Sequence, residues 1–271
     1  AAILGEQMGA DSITDFLCLS FSSTDYVGHQ FGPNAIETED TYIRLDRDMA
    51  DLLTFLDNRI GKGKYLVYLT ADHACMENPK HMMDHKIHAG FVPSAGIEDS
   101  LRSLLNRTYG HPEYIRCFIN DQVYLHEDKI LADKNDICAI EATIARYAKD
   151  HIQGVYLGLT SCDLETESYD DMIRQRIQNG HFHGRSGNVW LVYAPGWTER
   201  LYGGDGTQGT THGSPYAYDA HVPLYWFGWN IPAGSSTDLV NITDIAPTLS
   251  FLLNITLPNG CTGNKIDALV K

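Results

Sequence analysis

Short apolar runs alternate with longer stretches in which apolar residues recur every three or four positions. The runs are FLCLSFS at 16–22, KYLVYLT at 64–70, CFINDQVYL from Cys117, NVWLVYA from Asn188 and VPLYWFG from Val222. Each is short and nearly continuous, as strands covered on both faces are. Between them, residues 38–59 put Tyr42, Leu45, Met49, Leu52, Leu53 and Leu56 on one stripe, with Ile60 just beyond. That spacing predicts a helix with one buried face, and Gly61 and Gly63 are its stop signals. Weaker helical patterns cover 95–107, 136–149, 169–178 and 243–253. The repeated strand–helix order predicts an α/β fold with a mainly parallel sheet. Residues 91–180 mix the two periods and are read as a subdomain or cap within one domain spanning 1–271.

In such sheets ligands bind at the carboxyl ends of strands. After the first run comes Ser22-Ser23-Thr24-Asp25-Tyr26-Val27-Gly28-His29, and after the second Thr70-Ala71-Asp72-His73. A third histidine, His212, stands in the loop Gly209-Thr210-Thr211-His212-Gly213-Ser214. Any one Asp/His pair is more simply a hydrogen-bonded turn. Two such pairs and a third histidine, all at strand ends or adjoining loops, point to a metal, because carboxylate and neutral imidazole are good zinc ligands and a site with three protein ligands keeps a position open.

Charge sharpens this reading. Thirty-five acids against 20 bases give a formal net charge of −15. Nucleic-acid binding and docking on anionic lipid both need cationic surface, so both are disfavoured. The same shell would repel an anionic substrate, so a phosphate ester would require a strongly positive site, which a bound metal supplies. The six cysteines contain no CxxC pair, which leaves disulfides open and gives no support to a zinc ribbon. Three sequons occur, at Asn106, Asn241 and Asn254. No apolar stretch is long enough to span a membrane. The opening AAILGEQMGADSITDFLCLSFSS reads as the end of a helix running into a strand, without an initiator Met or a charged leader, so a truncated N-terminus is expected.

The remaining histidines have simpler readings. His81, His85 and His88 have helical spacing but belong to a solvated loop, and His181 and His183 alternate as on a surface edge. Asp84 and Asp244 have loop and helix-cap roles. Asp219 and His221 follow His212 closely; of the two, His221 begins a strand and is read as packing or orienting a ligand from behind it.

SSTDYVGHQFGP, a long helix, LTADH and GTTHGSPYAYDAHVPL, in that order, resemble the alkaline phosphatase superfamily. RSGNVWLVYAPGW from Arg185 and ITDIAPTLSFLLNITLPNGCTG extend the likeness, which is weakest between 91 and 180. It is nearest to the bacterial phosphate-irrepressible alkaline phosphatases and the type I phosphodiesterase/nucleotide pyrophosphatase group. The resemblance implies a three-layer α/β/α sandwich, a periplasmic or secreted protein, and a pair of zinc ions. Asp25, His29 and His212 would hold the first zinc, and Asp72 and His73 two positions of the second. The other ligands of the second zinc, the nucleophile and the residues that contact the phosphoryl oxygens would lie in an N-terminal part of the same polypeptide that precedes Ala1. The implied activity is phosphomonoester hydrolysis through a phospho-enzyme, acting on a small phosphate ester. A phosphodiesterase of the same superfamily and an inactive metal-binding fragment are the alternatives. One departure is local: the family reads Asp-His-Gly where this chain has Asp72-His73-Ala74, and alanine fits only if φ there is negative.

Overall fold

The computed structural model of the chain describes residues 1–93, 95–199 and 209–270. They divide into two compact units, one made of Ser22–Tyr42 and His73–His221, the other of Ala1–Phe21, Ile43–Asp72 and Val222–Lys271. The strands among the described residues are β1 (Leu66–Leu69), β2 (Gly90–Val92), β3 (Ile115–Ile119), β4 (Gln122–Leu125), β5 (Val155–Thr160), β6 (Val189–Tyr193), β7 (Trp197–Glu199) and β8 (Tyr225–Gly228).

The unit containing residues 73–221 is built on a four-stranded sheet in the order β3-β4-β6-β5, with every neighbouring pair antiparallel. CFINDQVYL, predicted as one strand, is a hairpin. Asn120 and Asp121 take φ of 49° and 59° between β3 and β4, a left-handed pair that turns a two-residue hairpin and that Asn and Asp tolerate best. The helices Ile97–Tyr109 and Ile137–His151 cover the core. Leu101, Leu105, Ile140, Ile144 and Ala148 from them meet Tyr114, Ile115, Val123 and Val189, and all are essentially inaccessible. Each buried Leu, Ile or Val among them stabilises by about 1.5–3 kcal/mol. Asp136 caps the second helix by accepting from the Ala139 N–H at 3.3 Å.

Asn188 and Glu141 are matched inside this core. Asn188 accepts from the Leu125 N–H at 2.9 Å and donates to Glu127 at 2.8 Å and Glu141 at 3.0 Å. Fully buried Glu141 also accepts from the Ser161 hydroxyl at 2.7 Å and the Cys162 N–H at 3.2 Å. Cys162 is disulfide-bonded to Cys138, which ties the start of the helix Ile137–His151 to the helix Ser161–Thr166.

In the other unit β1 pairs antiparallel with β8. From Ile43 onward the helix Ile36–Arg59 belongs to this unit and turns Leu45, Met49, Leu52, Leu53 and Leu56 inward to varying degrees; Tyr42, which precedes that part, is exposed. Asp244 caps as expected, in a reciprocal capping box with Asn241, and it also accepts from the Asn264 N–H at 2.8 Å.

The structure corrects the sequence reading in two respects. Residues 16–22 form no strand, and Phe16, Leu17, Leu19 and Phe21 are exposed; strand propensity alone does not decide the outcome, because it depends on packing context. Among the described strands only β2 and β7 pair in parallel, so the pairing is mostly antiparallel rather than mainly parallel. A tight hairpin such as β3–β4 leaves no other choice, because parallel neighbours need a crossover of a dozen residues or more. No described helix is long and apolar enough to cross a membrane.

Candidate metal centre

The block Ser22–His29 folds as a helix, Ser23–Phe31, with Asp25 in its first turn and His29 in its last. Residues four apart on a helix share a face, and the His29 Nε2 accordingly lies 3.5 Å from Asp25 Oδ2. Two further histidines come to the same carboxylate. His212 Nε2 stands 3.6 Å and His73 Nε2 3.9 Å from Asp25 Oδ1. The His73 and His212 rings stack with centroids 3.3 Å apart and planes 14° apart, and His29 is tilted against His212 at 5.0 Å.

Two of the rings are oriented from behind. His29 Nδ1 donates to the Thr210 carbonyl at 2.9 Å, and His73 Nδ1 to the Ala74 carbonyl at 3.0 Å. Each therefore carries a proton on Nδ1 and turns its Nε2 toward Asp25, the arrangement that metal-ligating histidines have. Burial, and after it the neighbouring His73 and His29, hold the His212 imidazole below its ordinary pKa, favouring the neutral ring that a metal requires. Among the described residues, the single group of three or more potential ligands with donor atoms all within 4.8 Å is Asp25, His73 and His212.

The loop carrying His212 is anchored on both sides. Buried Thr210 donates its hydroxyl to the Met76 carbonyl at 2.8 Å and its N–H to the His29 carbonyl at 3.1 Å. Asn78 donates to the Gly209 carbonyl. Further along, the Tyr216 hydroxyl donates to the Tyr193 carbonyl at the end of β6, at 2.7 Å. Ala74 is not among the residues with positive φ, so the alanine in place of glycine is accommodated.

The structure thus brings together Asp25, His29, His73 and His212. Asp72 is exposed and belongs to the other unit. His221 lies exposed at the end of the helix Ala217–Ala220. The residue buried in that stretch is Asp219, along with Thr210 in the preceding loop; neither was singled out from sequence. No periodicity in the sequence distinguishes Asp219 from the nearby His221. His81 and His85 lie on and just after the short helix Pro79–Asp84. His181 and His183 both reach Glu165, at 3.0 and 2.8 Å.

The type I phosphodiesterase / nucleotide pyrophosphatase family matches residues 3–215. The chain is 39% identical over 271 residues to alkaline phosphatase PafA of Elizabethkingia meningoseptica, and 39% identical over 272 residues to a Myroides odoratus protein named calcium-transporting ATPase. Both alignments take in 100% of this chain but only 48% and 49% of the relatives. A crystal structure of wild-type PafA shares its fold at a TM-score of 0.90 and 37% identity, over 100% of this chain and 50% of that one. The chain therefore spans about half the length of the relatives it matches, and over that half it has the alkaline-phosphatase-like α/β fold. With the match over residues 3–215 and this shared fold, the chain belongs to the type I phosphodiesterase / nucleotide pyrophosphatase family of the alkaline phosphatase superfamily.

Proposed function

We propose that the chain is the metal-holding part of a zinc-dependent phosphate-ester hydrolase acting on phosphomonoesters. The observation that carries this is the convergence of His29, His73 and His212 on one carboxylate, Asp25, with the Nδ1 of two of the rings committed to backbone carbonyls. Imidazole nitrogen and carboxylate oxygen without thiolate are the donor set of catalytic zinc. Zinc held there supplies Lewis-acid polarisation and positive charge for a phosphoryl group. In this reading Asp25, His29 and His212 hold one ion and His73 belongs with Asp72 to the second; Asp72 has that role from sequence alone. Asp25 also balances the charge, and the backbone carbonyls of Thr210 and Ala74 fix the rings. The nucleophile that takes the phosphoryl group is assigned to the part of the relatives' length that this chain does not span. Periplasmic or secreted placement accords with the Cys138–Cys162 disulfide, since such bonds persist in oxidising compartments.

A diester preference is the second reading, favoured by the family match over residues 3–215. To separate the readings, the purified chain is dialysed against zinc, the bound metal is counted, and hydrolysis of an aryl phosphate monoester and a bis-aryl diester is followed. Both assays are run with the chain alone and mixed with the complementary half made separately. The expected result is nearer one tightly held zinc than a pair, poor turnover alone, and recovery on mixing with the monoester preferred. Preference for the diester selects the second reading. A chain that binds zinc yet gains no activity with its complement is a metal-binding fragment, and failure to bind zinc overturns the proposal.

A further inference from the structure

Asp219 sits between the two loops that deliver His73 and His212. Its backbone carbonyl accepts from the N–H of Ala74, the residue after His73, at 2.8 Å. Its Oδ2 accepts from both the N–H and the hydroxyl of Ser214, which follows His212 by two positions, at 2.9 and 2.6 Å. The residue is only 4% exposed, and its second oxygen, Oδ1, is buried with no hydrogen-bond donor among the described residues. A carboxylate buried in this way is costly unless a positive group compensates it. Burial raises the Asp219 carboxyl above its ordinary pKa range, and the two Ser214 hydrogen bonds offset this only in part. A fold that needed only a loop staple here would be served by a serine or an asparagine.

We propose that Asp219 is a positioning residue of the metal centre. It locks the His73 and His212 loops to each other, and its buried carboxylate supplies negative charge behind the imidazoles against which a bound dication is held. This rests on the metal-centre reading given above. It assigns to Asp219 the supporting role that the sequence suggested for His221, which is exposed.

The test uses the 271-residue chain with Asp219→Asn, which keeps an oxygen able to accept from Ser214 but removes the charge, and with Ser214→Ala, which removes one of the two bonds and keeps the charge. Zinc affinity is measured by competition with a chromogenic chelator. The metal-free proteins are compared by thermal melting and by long-range nitrogen–proton NMR of the histidine rings. Asp219→Asn should weaken zinc binding roughly 10–100-fold while melting close to wild type without metal, and Ser214→Ala should weaken it by a smaller factor. Both variants should also shift the ring signals of His73 and His212 while leaving His29 in place. Zinc affinity in Asp219→Asn indistinguishable from wild type, with unchanged His73 and His212 signals, overturns the inference even though the centre binds metal. If wild type binds no zinc, the function reading falls instead, and the ring signals alone decide whether Asp219 positions the two histidines. Should Asp219→Asn fail to fold, Ser214→Ala decides: unchanged affinity and unchanged ring signals overturn the proposal.

Discussion

The Nδ1 of His29 donates to the carbonyl of Thr210 across 2.9 Å, although 181 positions separate the two residues in the chain. The Thr210 N–H returns a bond to the His29 carbonyl at 3.1 Å. This reciprocal pair brings the helix that carries Asp25 and the loop that carries His212 to one place. Each bond contributes about 1 kcal/mol to stability, but the pair also sets which imidazole nitrogen faces Asp25.

Gly209 is what allows that approach. Its φ is +76°, and an added Cβ would collide with the carbonyl oxygen of His29. Gly213, in the same loop, has φ +111° and open space beside it. Gly213→Ala should cost about 1–3 kcal/mol of stability from backbone strain alone. Gly209→Ala should cost more and also weaken zinc binding by at least tenfold, because His29 is displaced. Chemical unfolding and zinc titration of the two variants check this; equal effects would mean the close approach is not what Gly209 provides.

His212→Ala and His29→Ala should each lower zinc affinity by about tenfold or more, since each removes a nitrogen that faces Asp25. His221→Ala, at an exposed position, should leave affinity near wild type. Isothermal titration with zinc distinguishes the three. A loss for His221→Ala matching that for His212→Ala would move the ligand to His221.

The disulfide Cys138–Cys162 closes a loop with a sequence separation of 24. Constraining an unfolded loop of that size stabilises by about 3 kcal/mol. The double variant Cys138→Ala/Cys162→Ala should lose about that much in urea unfolding. Reductant should destabilise wild type and leave the double variant unchanged.

Asp121 gives a pH dependence whose sign can be worked out. Burial pushes its carboxyl from the ordinary range up to about 7; a Tyr193 hydrogen bond works against the rise, and the Glu199 carboxylate adds to it. Tyr193, at the end of β6, also donates to Glu199, at the end of β7, at 3.3 Å. The folded chain therefore holds a proton that the unfolded chain releases near pH 4. Stability should fall as pH rises from about 4 to about 7, by at most about 1.4 kcal/mol per pH unit from this group, and level off above. Asp121→Asn should flatten that segment of the stability–pH curve. An unchanged slope would show that Asp121 titrates normally.

Much of the site was legible because its ligands cluster at a few short blocks. Asp25 with His29, the LTADH block and His212 stood out as residue types matched to one chemistry, and the helix read over 38–59, which extends to Ile36 in the structure, stood out by its apolar period. The helix Ser23–Phe31 was hidden, because STDYVGHQF carries Gly28 in its interior and no apolar stripe. The hairpin inside CFINDQVYL was hidden because its turn is Asn120-Asp121, without the glycine that usually marks one. Asp219 escaped for a different reason: its burial arises from contacts with Ala74 and Ser214, and the first of these is remote in sequence.

The spacing of Asp25 and His29 works as a ruler. Because both sit on one helix, each added or deleted residue between them would swing His29 about 100° around the axis and turn its imidazole away from the carboxylate. Beyond Ser214, which Asp219 holds, the stretch to Tyr216 is not helical and is under no such angular constraint. Relatives that keep this metal centre should therefore vary in length within that loop before they vary within this single helical turn, and an engineer seeking to graft the centre elsewhere should transplant the turn as a unit.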